Sequence, residues 1–168
     1  LADGFEEGAP VSAGQVLVRL DAADAEAARD LVRADLARAE DELADARRAL
    51  ELSHLDRAEA ESQADIRRRA FERQQGLAER GVGTAATVED AELAYAAARA
   101  SVIARRQAEA AAQARVATAE TALDRQRITL DEAERRVADT AVTASFDGVL
   151  SDTNAVAGGQ VSMNERLA

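Results

Sequence analysis

Several residue types are missing from this 168-residue chain, and each absence removes a class of function. With no cysteine there are no disulfides and no thiolate chemistry, although the redox compartment stays open. All 21 basic residues are arginine, so a cofactor tethered to a lysine amine is excluded. Tryptophan is absent, and aromatics make up 2% of the chain. Much of the 47% apolar content is alanine, a strong helix former that buries little surface, so a thick globular core is not expected. No apolar run approaches the eighteen or so residues needed to span a bilayer, and with no signal peptide in the sequence and no initial Met, a mature protein or excised fragment is expected. Basic residues are in deficit, with a formal charge of -11, which argues against nucleic acid as a partner.

Breakers of regular structure are also scarce, and their placement divides the chain. The single proline is Pro10, and no glycine falls between Gln15 and Gln75 or between Thr84 and Asp147. Two long helices are predicted, about 24–80 and 88–138, joined by a tip at about 81–87. At 1.5 Å per residue they would be about 85 Å and about 75 Å long, folding back on each other through the short connection. Asp21 is placed to cap the first helix and Thr87 the second.

Within the first helix Leu36, Leu43 and Leu50 recur every seven residues, with Val32, Ala39 and Ala46 four residues before each. This alternation is a coiled-coil seam. Leu52 and Leu55 then break the phase, and Ile66, Ala70, Arg73 and Leu77 resume it, which reads as a stutter. The second helix is regular: Val88, Tyr95, Val102, Glu109, Val116, Leu123, Leu130 and Val137 lie seven apart, with alanine three residues after most of them. Large residues facing alanine allow two antiparallel helices to approach closely. Glu109 interrupts that seam with Arg105 and Arg106 nearby, an arrangement that would set the register or pair with a neighbouring hairpin.

The chain ends carry matching motifs. Val11-x-x-Gly14-Gln15-Val16 is answered by Val156-x-x-Gly159-Gln160-Val161. Neither half could bury a face alone, so the two should pair into one small β-sandwich. The predicted fold is therefore α+β, with a long antiparallel helical hairpin (22–140) inserted between residues 1–21 and 141–168.

These residues resemble the periplasmic adaptor, or membrane fusion, proteins of tripartite efflux pumps and type I secretion systems. Gly8 through Asp21 is similar to that family's first lipoyl-like half-motif, and Leu130 through Val149, ending Phe146-Asp147-Gly148-Val149, to the second. Ser145 stands where the family commonly has proline, and Asn164 where it commonly has a closing glycine. At the tip, many members carry Arg, then Leu four residues on, then Ser seven further. Here Arg73, Leu77 and Thr84 hold those spacings, and the threonine keeps the hydroxyl.

The resemblance implies a lipoyl/biotinyl-like β-sandwich around the hairpin and a TolC-like outer-membrane channel docked at the tip through Arg73, Leu77 and Thr84. It also implies several copies, six in the assembled pump, and an inner-membrane transporter, ATP-driven or major-facilitator in type given the hairpin length. Further domains and an inner-membrane anchor would lie beyond both ends, with the protein in the periplasm.

Blander roles stay open for the same residues. Arg73 could be a solvated seam residue, Leu77 the closing layer of the hairpin, and Thr84 a turn residue. His54 is the only histidine and Met163 the only methionine, and neither has the neighbours a metal site needs. No nucleophile, base and metal set occurs together, so no enzyme activity and no cofactor is expected. A coiled-coil spacer or protein-binding module is the competing reading. It leaves the duplicated end motif without a reason.

Overall fold

A computed structural model describes residues 7–151 and 158–159. It contains two long helices, α1 (Ala23–Glu79) and α2 (Ala85–Ala138). Four short strands accompany them: β1 (Pro10–Val11), β2 (Val16–Arg19), β3 (Ala141–Thr143) and β4 (Gly148–Val149). The chain divides into two compact units, residues 1–36 with 126–168, and residues 37–125.

In the first unit the two chain ends are stitched together. β1 pairs antiparallel with β4, and β2 pairs antiparallel with β3. Each ribbon thus joins a strand that precedes the helices to one that follows them, with an irregularity at Leu17 that lets both Leu17 and Val18 point inward. Leu17, Val18 and Leu150 form a small core, with Val11, Leu20, Val142 and Ala144 packed against it. Asp147 reaches across the chain ends to accept a hydrogen bond from the Ala13 amide at 2.7 Å. The second Val-x-x-Gly-Gln-Val motif and Asn164 lie outside the described residues, apart from Gly159, so the described strands comprise two ribbons and not a complete sandwich.

Helix α1 starts where the sequence reading places it, because the Asp21 carboxylate accepts from the Ala23 amide at 3.0 Å and satisfies an otherwise orphaned donor. Arg33 pairs with Glu134 at 3.0 Å across the helix bases, and Ala133 is among the most buried residues there.

In the second unit the two helices pack antiparallel along the predicted heptad of α2. Tyr95, Ala98, Val102, Glu109, Ala112, Val116, Ala119 and Leu123 are all withdrawn from solvent. The α1 side differs from expectation. No stutter occurs, and the four-three spacing runs on from Leu50 through Ser53, Arg57, Ala60, Ala64, Phe71, Gln74 and Ala78, with exposed Arg67 in step. Leu52, at 64% exposure, and Leu55 face outward. Ile66, Ala70, Arg73 and Leu77 lie on one flank of the seam instead of in it; Ile66 and Arg73 are exposed, while Ala70 and Leu77 are half-buried.

The physical reason lies in α2. Its strict seven-residue repeat obliges a supercoiled partner to supply a knob every 3.5 residues, and a slip in one helix alone would leave holes unfilled. Polarity then yields to register. Glu109 of α2, its side chain only 16% exposed, stands 2.8 Å from Arg57 Nε and 2.9 Å from His54 Nδ1 of α1. Arg57 Nε lacks hydrogen-bond geometry toward the carboxylate, so that contact is ionic. Arg105 and Arg106 do not serve Glu109; they pair with Asp56 at 3.1 Å and Glu61 at 2.8 Å. These two pairs mark the two opposite flanks of the seam. Near the tip Phe71 and Tyr95 stack at 6.3 Å, with the Arg99 guanidinium 5.8 Å from the Tyr95 ring centre.

Candidate docking surface at the hairpin tip

The turn between the helices takes five residues. Gly81 adopts φ +74°, a left-handed conformation that suits glycine. Its amide donates to the Ala78 carbonyl at 2.9 Å, and the Val82 amide donates to the Leu77 carbonyl at 3.0 Å. These two bonds make a Schellman cap, which satisfies carbonyls at the α1 terminus. The Gly83 amide also reaches the Leu77 carbonyl, at 3.2 Å. A side chain at Gly83 would meet the Ala78 backbone nitrogen at 3.0 Å, a contact that the backbone would have to relieve by a few tenths of an ångström.

Thr84, not Thr87, caps α2. Its hydroxyl accepts from the Thr87 amide at 3.3 Å, and the Thr87 hydroxyl oxygen accepts from the Thr84 amide at 3.3 Å. The two threonines thus cap each other in the manner of a capping box. Because the Schellman turn reverses the chain quickly, α2 begins at Ala85, three residues before the position read from the sequence.

The three residues picked out by spacing are therefore placed differently. Arg73 is exposed on a flank of α1 and has no carboxylate partner among the described residues, whereas the nearby Arg68 and Arg69 both hold Asp65. Leu77 is half-buried one turn further, and its carbonyl anchors the turn. Thr84 is exposed, but its hydroxyl is engaged in the cap. Arg73 and Leu77 thus share one flank, while Thr84 opens the other helix.

Two more exposed apolar residues stand near the tip. Val82, 76% exposed, lies in the turn, and Leu93, 69% exposed, lies on α2 away from the flank that carries Arg73 and Leu77. The signal for Val82 was available as an aliphatic residue between two glycines. That for Leu93 was an apolar residue out of phase with the heptad. Ion pairing along the flanks also shapes the local electrostatics: Arg106 holds the Glu61 carboxyl below the usual range, and Arg68 does the same to Asp65. In return, Asp65 raises the Arg68 guanidinium further. Among the described residues no cluster of His, Cys, Asp and Glu suited to a metal occurs, and no helix is long and apolar enough to cross a membrane.

No family model matches the chain, and no curated protein matches it. Among solved structures it is similar to that of the periplasmic adaptor protein EmrA, with a TM-score of 0.50 and 12% identity. The likeness covers 96% of this chain, which spans 65% of the length of that one. At this identity the similarity speaks for the fold, an adaptor-like helical hairpin with small strands at its root.

Proposed function

We propose that this chain is the hairpin-bearing part of a periplasmic adaptor, which links an inner-membrane transporter to a TolC-like outer-membrane channel. The observation that carries the reading is the adaptor-like hairpin, matched over 96% of the chain, whose tip presents Arg73, without a carboxylate among the described residues, beside Leu77. A guanidinium is a rigid five-donor fork suited to a carboxylate or to helix-end carbonyls on another protein. Leu77 and Val82 supply apolar contact beside it, and Thr84 holds the turn that presents them.

In this reading six copies stand side by side as a conduit in the periplasm, attached to the inner membrane through parts of the protein outside this chain. The segments before and after the helices belong to a lipoyl-like sandwich in this reading, and the transporter is ATP-driven or of the major-facilitator type. The role is conduit formation and coupling, with no bond-making chemistry.

The test is a photoreactive residue at Val82 of the complete protein in its native cell, with the captured partner identified by mass spectrometry. Capture of an outer-membrane channel, abolished by Arg73→Glu and Leu77→Ser at unchanged helicity, is the expected result. Capture of neighbouring copies alone, or capture indifferent to both substitutions, would overturn tip docking and favour a coiled-coil spacer.

A further inference from the structure

Two faces near the tip lack partners among the described residues, and they complement each other. On α1, Ala70 and Leu77 stand two and three heptads on from Asp56, on the flank where Asp56 meets Arg105. Ile66 and Arg73 each stand four residues earlier, beside them. Ile66 is 55% exposed, and Arg73 has no carboxylate in reach among the described residues. On α2, Glu92 stands two heptads before Arg106, on the opposite flank, where Arg106 meets Glu61. Glu89 and Glu92 are likewise without a cation among the described residues, Leu93 is exposed beside them, and Ile103 is exposed about three turns further along the helix.

The heights agree as well. Phe71 stacks on Tyr95, so two residues further toward the tip Arg73 is level with Leu93 and next to the level of Glu92. By the same count Leu77 is level with Glu89, and Ile66 is within a turn of Ile103. A single chain cannot join these faces, because they lie on opposite sides of its seam. Copies that stand side by side and point the same way can. Such a heterologous contact repeats from copy to copy and closes a ring when the rotation allows.

We propose that the docking site is composite: Glu92 and Leu93 of one copy pack against Arg73 and Leu77 of the next. The surface offered to a channel is complete only between two copies. One edge of the guanidinium holds the neighbour's Glu92, and the other edge remains free for the channel. Glu92 is thus a positioning residue for Arg73. The inference rests on the tip-docking reading above and adds a contributor from a second copy.

These 168 residues have no cysteine, so the two introduced thiols are the only ones they carry. Ala70→Cys combined with Ala96→Cys places thiols at equal height on opposite flanks, so a disulfide can form only between copies. In the complete protein in its cell envelope, mild oxidation should give a ladder of linked oligomers. An exposed ion pair is worth up to about fivefold in an equilibrium. Arg73→Glu should weaken the ladder by about that factor, and adding Glu92→Arg should restore it. Glu92→Gln should lower channel capture at Val82 by a similar factor, with helicity unchanged.

Absence of a ladder, a charge swap that fails to restore it, or channel capture indifferent to Glu92→Gln would each overturn the composite site. If the ladder fails while Val82 still captures a channel through Arg73, docking stands and only the second-copy contribution falls. If Val82 captures no channel at all, the docking reading fails and the composite site fails with it.

Discussion

Glu109 of α2 meets Arg57 of α1 at 2.8 Å, inside a seam lined mostly by alanine and aliphatic side chains. With the Glu109 side chain only 16% exposed, removal of one partner leaves a poorly hydrated charge. Arg57→Ala is expected to destabilise the hairpin by about 1–3 kcal/mol, and Glu109→Leu with Arg57→Leu to recover most of that. Urea unfolding followed by circular dichroism measures both. Equal losses in the single and double variants would show that the pair is not what holds this layer.

The uninterrupted register makes a second pair of expectations. Ile66 faces outward, so Ile66→Gln should change stability by no more than about 0.5 kcal/mol at monomeric concentration. Ala60 is buried in the seam, and Ala60→Leu should cost about 1–3 kcal/mol through overpacking. Thermal melts that reversed this order would restore the stutter.

At the tip, Thr84→Ala removes the acceptor for the Thr87 amide and should cost about 1 kcal/mol, while Thr84→Ser should cost little. Gly83→Ala should disturb the turn more locally, since its new methyl meets the Ala78 backbone. Amide exchange of Val82 and Thr87 reports these effects directly. Exchange unchanged in Thr84→Ala would mean that the hydroxyl does not cap the helix.

At the root, Asp147 ties the segment after the helices to the segment before them through the Ala13 amide. Asp147→Ala should loosen β1 from β4 and cost about 1–2 kcal/mol, with the bond to a charged acceptor setting the scale. Hydrogen exchange at Ala13 and Leu150 should accelerate, while exchange in the middle of α2 stays the same. Uniform acceleration along the chain would contradict a local role.

Acid should weaken the flanks in a defined direction. The carboxyls of Glu61 and Asp65 are depressed in the folded chain, the first chiefly by its hydrogen bond to Arg106 and the second by that to Arg68. A depressed acid contributes stability above its unfolded pKa, and that stability is lost as pH falls through the folded value. The melting temperature should therefore drop as pH falls from about 5 toward 3, with a shallower slope in Glu61→Gln combined with Asp65→Asn. An unchanged slope would place the acid sensitivity elsewhere.

How much of this was legible from the sequence varies by element. The α2 seam was readable because its heptad is regular, and the start of α1 because Asp21 offers a local acceptor to the Ala23 amide. The Phe146-Asp147-Gly148 motif could be recognised, but its work could not, since the amide it bonds belongs to Ala13. The tip residues were picked out by resemblance to a family's motif spacing. Spacing does not tell an exposed guanidinium such as Arg73 from a seam residue, nor reveal that the Thr84 hydroxyl already has a partner.

The sequence by itself determined the long helices and the short return between them. Alanine-rich, glycine-free stretches favour helix residue by residue, and Gly81 and Gly83 break it locally. Only the tertiary structure decided which side of α1 is buried. Local hydrophobicity favoured Leu52, Leu55 and Ile66, but the partner helix carries an unbroken heptad with Glu109 in it. Packing against that helix drew in Ser53 and Arg57 and turned the larger apolar residues outward. Propensity acts within a few residues, whereas the choice of face is a pairwise property of two helices, and it is what sets Arg73 and Leu77 on an open flank.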